Sequence, residues 1–200
     1  MMWLISLMNE LKENINMLAI RPYRTEDRSR VEHICLAGSD PAAQNPAFQA
    51  AVLEVFCQYY LEQEPENCFV AVNEQDEAAG YILCAKDFCT WEQLFDERYL
   101  QKMANEISKI MGKATIEILR PYAAEYPAHL HIDIHPDYQK RGLGTQLMDA
   151  LRLHLTGFGV RGLLLNVGKD NEGGRRFYQR YGFSELKEGA MEVVMGLKLS

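Results

Sequence analysis

The sequence predicts an α/β fold, a mixed central sheet flanked by helices, with a helical insertion between strands 3 and 4. Three observations carry the expectation. Short apolar runs bounded by turn residues are interleaved with segments whose apolar residues recur at three and four. Two of the runs flank an acidic turn in the manner of a hairpin. The C-terminal half alternates strand and helix.

Taken in order, residues 17–23 read as a short strand. Thr25-Glu26-Asp27 enters a helix with Val31, Ile34 and Cys35 at helical spacing. From Pro46 the residues Phe48, Val52, Val55, Phe56, Tyr59 and Tyr60 recur at three and four, predicting a second helix to about Glu64, which Pro65 stops. Residues 68–72 and 79–85 flank Asn73-Glu74-Gln75-Asp76-Glu77 as an antiparallel hairpin. The long helical pattern of Trp91, Leu94, Phe95, Tyr99, Leu100, Met103, Ile107, Ile110 and Met111 lies in the insertion, 87–127. A segment of that length between strands is either a cover over the core or a lid over a site, with Trp91, Tyr99 and Tyr122 as lid residues or plain packing. A strand over 129–135 ends at Pro136. Leu143, Leu147, Leu151 and Leu155 mark a helix over 142–155 that packs on the sheet. Residues 162–167 form a buried strand, Asp170-Asn171 caps a helix running through Tyr181, Gly182 ends it, and 191–199 supplies the last strand. The order is βααββ, insertion, βαβαβ.

With 48% hydrophobic and 24% charged residues among 200, one domain spanning 1–200 is the expectation, with 1–16 as an N-terminal extension. The 28 acidic against 21 basic residues give a net charge of -7, which repels phosphate backbones and argues against nucleic acid as a partner. No stretch approaches the roughly 20 apolar residues of a membrane span. The apolar start, Met1 to Met8, lacks a basic region and reads as extra helical turns instead of an export signal. Cys35, Cys57, Cys68, Cys84 and Cys89 are odd in number and form no CxxC pair, as expected of reduced core cysteines in a cytoplasmic protein.

A strand leading through Gln139-xx-Gly142-x-Gly144 into a helix is chemically pointed. Glycines let the backbone close around an anion, and the first N–H groups of the helix face it with the positive end of the dipole. The glycine spacing differs from the dinucleotide fingerprint, and the Gly-Lys-Ser/Thr of a P-loop is absent. By itself the string is more often just a tight turn.

The surrounding residues sharpen it. The run from His129 to Thr145, with His131-Ile132-Asp133-Ile134 and Gln139-Lys140-Arg141-Gly142-Leu143-Gly144, resembles motif A of the GNAT acetyltransferase superfamily. Leu163 to Asn171 followed by Arg176-Phe177-Tyr178-Gln179-Arg180-Tyr181-Gly182-Phe183 resembles motif B. Tyr126-Pro127-Ala128-His129 and Ile34-Cys35-Leu36-Ala37-Gly38-Ser39-Asp40 are similar to bacterial GNAT proteins related in look to the acetyltransferase-like C-terminal domain of O-GlcNAcases. The resemblance implies the GNAT fold, acetyl-CoA as co-substrate, and an N-acetyltransferase that passes acetyl to an amine of a small molecule or peptide by direct attack in a ternary complex. It is compatible with a homodimer. The alternative is a catalytically weak acyl-CoA-binding or sensing module.

By the same resemblance, Ile132 and Ile134 contribute main-chain donors to the pantetheine arm and thioester carbonyl. Gln139, Lys140, Arg141, Gly142, Leu143, Gly144 and Thr145 hold the pyrophosphate. Asn171 contacts the pantetheine arm, where its other reading is helix capping. Tyr178, two turns on, protonates the departing thiolate, where its other reading is a packed core tyrosine. The amine needs a base, for which His131 and Asp133 are the candidates and Glu125 a weaker one. The row His129, His131, Asp133, His135 also suits a metal, since same-face neighbours on a strand are only about 7 Å apart. A buried hydrogen-bonded network is the commoner outcome of such a row, so no metal is expected.

Overall fold

The computed structural model describes residues 18–38 and 45–199. The N-terminal extension over 1–16 and the Ser39-Asp40 end of the early motif lie outside them.

Among the described residues seven strands form one sheet in the order β1-β2-β3-β4-β5-β7-β6. β1 (Ala19–Pro22) is an edge strand, where Pro22 costs no ladder bond. β2 (Phe69–Val72) and β3 (Ala78–Ala85) make the expected hairpin. Its turn closes because the Asn73 side chain accepts from the N–H of both Gln75 and Glu77, while Asp76 takes a left-handed φ of 60°. Every residue of β3 is buried, as its unbroken apolar run requires of a central strand. β4 (Ala128–Ile134) pairs antiparallel with β3 and parallel with β5 (Gly162–Gly168); β7 (Glu192–Lys198) and the edge strand β6 (Ser184–Glu188) complete the sheet.

Helices cover both faces. On one lie α1 (Arg28–Ala37), α2 (Pro46–Leu53), α3 (Tyr59–Gln63), α4 (Phe88–Arg98) and α5 (Glu106–Leu119), whose Val31, Ile34, Tyr59, Trp91, Phe95 and Leu119 pack on Tyr81 and Leu83 of β3. On the other, Leu143, Leu147, Leu151 and Leu155 of α6 (Leu143–Gly157) lie on Ile82, Leu130, Leu163 and Leu165, with α7 (Glu172–Tyr181) beside it. Each of those leucines stabilises by on the order of 2 kcal/mol through its removal from water. Strand alternation sends Leu130, Ile132 and Ile134 of β4 to the α6 face and His129, His131 and Asp133 to the α1 face.

Four sequence expectations are corrected. The second helix is not uniform: between α2 and α3 the turn Glu54–Gln58 is π-helical, one residue wider than the α-helical count. The pattern expected as one long helix is two, because the chain breaks after Arg98 and Asn105 caps a new helix through its side chain to the Ile107 N–H; α5 then runs on to Leu119. β6 was not expected, since Ser184, Glu185, Lys187 and Glu188 surround a single apolar Leu186 and show no buried period. Cys89 is exposed, whereas Cys35, Cys57, Cys68 and Cys84 are in the core.

Candidate active site

The site begins with a fault in the sheet. β4 stays paired with β3 as far as Ile134, and β5 stays paired with β7 as far as Gly168, yet β4 and β5 pair with each other only at Ala128↔Leu163 and His129↔Leu164. Beyond His129 the two strands splay. The His135 N–H donates to Ala79 O of β3, so by alternation the N–H groups of Ile132 and Ile134 point the other way, into the wedge. The sequence resemblance assigned donors to these two residues, and the structure leaves them without a neighbouring strand.

Two cavities open at the wedge. One of about 680 Å³ runs along Ile132 and Ile134 to the loop before α6 and across to α7; one of about 280 Å³ lies on the α1 face. They share Ile132, Asp133, Asn171 and Tyr178.

The larger cavity is lined by Gln139, Lys140, Gly142, Leu143, Gly144 and Thr145 of the glycine turn. Gly142 caps α6 at φ 79°, a conformation natural to glycine, and Lys140 is also left-handed at φ 61°. The first N–H groups of α6 have no intrahelical acceptor. At Gly144 a Cβ would approach the Phe177 ring to 3.0 Å, so the absence of a side chain is what lets α6 and α7 close on each other. Gln139 turns inward and donates to Ile134 O. Arg141 is bound elsewhere, donating to Asp137 O with its guanidinium over the Tyr138 ring, and does not line the cavity. Cationic lining comes from Arg176 and Arg180 of α7 as well as Lys140. Those two arginines were quoted within motif B but given no role; their four-residue spacing on one helix face was the available signal.

Asn171 caps α7, its Oδ1 accepting the Gly174 N–H at 2.8 Å, and it lines both cavities. Cap and cavity residue are thus one side chain. Tyr178 is half-buried on the same helix face, and burial, with Asp133 adding to it, pushes its hydroxyl pKa well above the tyrosine range.

On the α1 face His131 is held between two rings, Phe56 with centroids 5.0 Å apart and Tyr81 at 5.9 Å. Tyr81 donates its hydroxyl proton to Asp133 Oδ2 at 2.9 Å, and the Tyr81 hydroxyl oxygen lies 3.0 Å from His131 Nδ1. Burial lowers the pKa of His131 against the pull of Asp133, which keeps the imidazole neutral. Burial raises that of Asp133, opposed by His131 and Tyr81. Cys35 joins this cluster, its sulfur within 4.8 Å of donor atoms of His131 and Asp133, a spacing a metal ion could bridge. Tyr81 and Cys35 come from β3 and α1, far away in sequence, and the patterns that contain them mark core positions, not a place in this cluster.

The rest of the histidine row does not converge. His129 is enclosed by Trp91, Tyr60 and Phe88, neither ring nitrogen has a partner, and burial pushes its pKa down to about 3. His135 stacks on His33 instead. Glu125 pairs with Lys198 away from the wedge. Of the aromatic residues weighed as a lid, Trp91 stacks on Phe95 in the core and Tyr99 bonds Glu62 and Gln63; with Tyr122 they line neither cavity.

Residues 34–183 match the acetyltransferase (GNAT) family. Among solved structures, that of SsHAT is 30% identical, covers 91% of this chain and 98% of that one, and superposes with a TM-score of 0.82. An agmatine N-acetyltransferase (17% identity, 91% and 99% covered, TM-score 0.66) and the polyamine N-acetyltransferase of Drosophila melanogaster (16%, 91% and 99%, 0.64) share the fold. A wedged sheet, a glycine turn opening a helix and a match over three quarters of the sequence agree: the chain belongs to the acetyltransferase (GNAT) family and is an acyltransferase.

Proposed function

We propose that this protein is an acetyl-CoA-dependent N-acetyltransferase acting on an amine by direct attack in a ternary complex. The observation that carries the reading is the meeting of two cavities at Ile132, Asp133, Asn171 and Tyr178, one shaped for a long anionic co-substrate and one open to a second reactant. Acetyl-CoA supplies an activated acetyl thioester. The residues present suit it: the α6 amides with Lys140, Arg180 and Arg176, the last also paired with Glu172, line one part of the cavity and would hold the diphosphate, and the N–H groups of Ile132 and Ile134 line the part at the wedge, where the thioester would lie.

At that end the two main-chain donors stabilise the charge that develops on the carbonyl oxygen as the amine nitrogen bonds to the acetyl carbon. Tyr178 gives its proton to the sulfur as the carbon–sulfur bond breaks; burial that holds the proton on the tyrosine also raises the thiolate's demand for one. His131 takes the proton lost by the amine. Tyr81 donates to Asp133, so its oxygen is left to accept from His131 Nδ1–H, and that tautomer leaves Nε2 with the free lone pair. Agmatine and polyamine are acceptors named for two structural neighbours; for this chain they support only an amine as the acceptor class.

The test pairs calorimetry with thiol release. The wild-type protein is expected to bind acetyl-CoA and to release CoA when an amine is present. Gly142→Glu, which forces a side chain into a left-handed position and sets a carboxylate at the anion site, is expected to abolish binding without unfolding. Binding unchanged in that variant refutes the loop assignment. Tight binding with no release for any amine leaves an acyl-CoA-binding or sensing module.

A further inference from the structure

Where the acceptor would sit, the walls are mostly carbon. Phe48, Val52 and Phe56 stand on one side of the smaller cavity, Met111 and Leu165 on others. Phe56 belongs to the π-helical turn, and its stacking on His131 at 16° between ring planes makes it a fixed wall. Among the described lining residues Asp133 is the one acid, and it lies at the wedge end where the two cavities join.

Charge matching then limits the guest. An amine arrives largely as an ammonium, and a cation taken out of water needs a partner. Asp133 can match one. In agmatine or a polyamine the second cation sits several bonds from the first and would lie against Phe48, Val52 or Met111, with no second carboxylate among the described lining residues. A hydrocarbon body in the same place gains from leaving water, in proportion to its apolar area. Size limits the guest to a small molecule, since about 280 Å³ lies just below the usual range of such sites.

Resting on the reading above, we propose that the acceptor is a small primary monoamine with an apolar alkyl or arylalkyl body, its nitrogen beside Asp133 and its body between Phe56 and Met111. The experiment measures binding of n-hexylamine, 2-phenylethylamine, agmatine, spermidine and an alanine-rich tripeptide to CoA-saturated protein by saturation-transfer NMR, with thiol release from acetyl-CoA followed in parallel. Hexylamine and phenylethylamine are expected to bind at least tenfold more tightly than the other three. Met111→Glu, which adds a second carboxylate at the wall, is expected to close that gap for agmatine and spermidine tenfold or more, with acetyl-CoA affinity and Tm unchanged. Agmatine, spermidine or the peptide binding as tightly as hexylamine in the wild-type protein overturns the proposal, as does a gap that Met111→Glu does not move. Because occupancy is read with CoA bound, apolar amines that bind and are never acetylated would sink the transferase reading and leave the pocket's preference standing.

Discussion

A hydroxyl that holds its proton across the physiological range is useful to a departing thiolate only if it lies where the sulfur leaves, the place proposed for Tyr178, which borders both cavities. Tyr178→Phe removes one oxygen and little volume. It is expected to lower kcat by roughly 10²-fold or more, the ordinary share of a general acid, with acetyl-CoA affinity changed less than threefold; a normal rate would exclude the assignment. His129 makes a prediction of another kind. Its folded pKa, about 3, lies below the unfolded value near 6.5, so between those limits the unfolded chain binds the extra proton and stability falls as pH falls. At pH 5 the loss from this one residue is about 2 kcal/mol relative to pH 7.5. His129→Leu is expected to remove that increment in urea unfolding at the two pH values, whatever it does to the baseline. An equal pH increment in both proteins would mean that the buried imidazole does not govern it.

At the scale of the element, α7 begins with Asn171, which caps the helix and lines both cavities, and two substitutions separate the cap from the contact proposed for it. Asn171→Asp keeps an oxygen for the Gly174 N–H and loses the amide donor; Asn171→Ala loses both. Both are expected to weaken acetyl-CoA binding, but only the alanine variant should lose about 1 kcal/mol of stability by chemical unfolding. If Asn171→Asp binds acetyl-CoA normally, the residue is a cap alone. The same helix shows which parts of the site were legible in sequence. Asn171, Tyr178 and Gly182 are contiguous, and cap, helix face and C-terminal turn each leave a local mark, as does the glycine turn before α6. Tyr81, Cys35, Phe56 and Met111 leave only the mark of core positions, because β3, α1, the π-helical turn and α5 meet only once the sheet has formed. The elements divide in the same way. Strands buried on both faces and helices with a leucine stripe announced themselves, whereas β6 is polar at an open edge and the break between α4 and α5 depends on how each packs beneath the sheet.

Over the whole molecule the net charge is -7, yet the cavity at the start of α6 is lined by Lys140, Arg176 and Arg180. A local positive field in an acidic protein acts over about 10 Å at 0.1 M salt. Acetyl-CoA affinity is therefore expected to fall several-fold between 50 and 500 mM salt, where screening shortens the field's reach. Arg180→Glu should weaken binding and flatten that dependence, and a slope unchanged in the variant would place the anion elsewhere.

The splay of β4 from β5 has a mechanical consequence. The sheet amounts to two rigid leaves, β1 to β4 and β5 with β7 and β6, joined edge to edge at two residue pairs. Few backbone hydrogen bonds cross that seam, so the two leaves are held there mainly by α6, whose leucines pack on Ile82 and Leu130 of one and on Leu163 and Leu165 of the other. A long molecule lying in the wedge and bonded to the free edge of β4 would act as a staple across the seam, and the protein should become stiffer as a whole each time it loads.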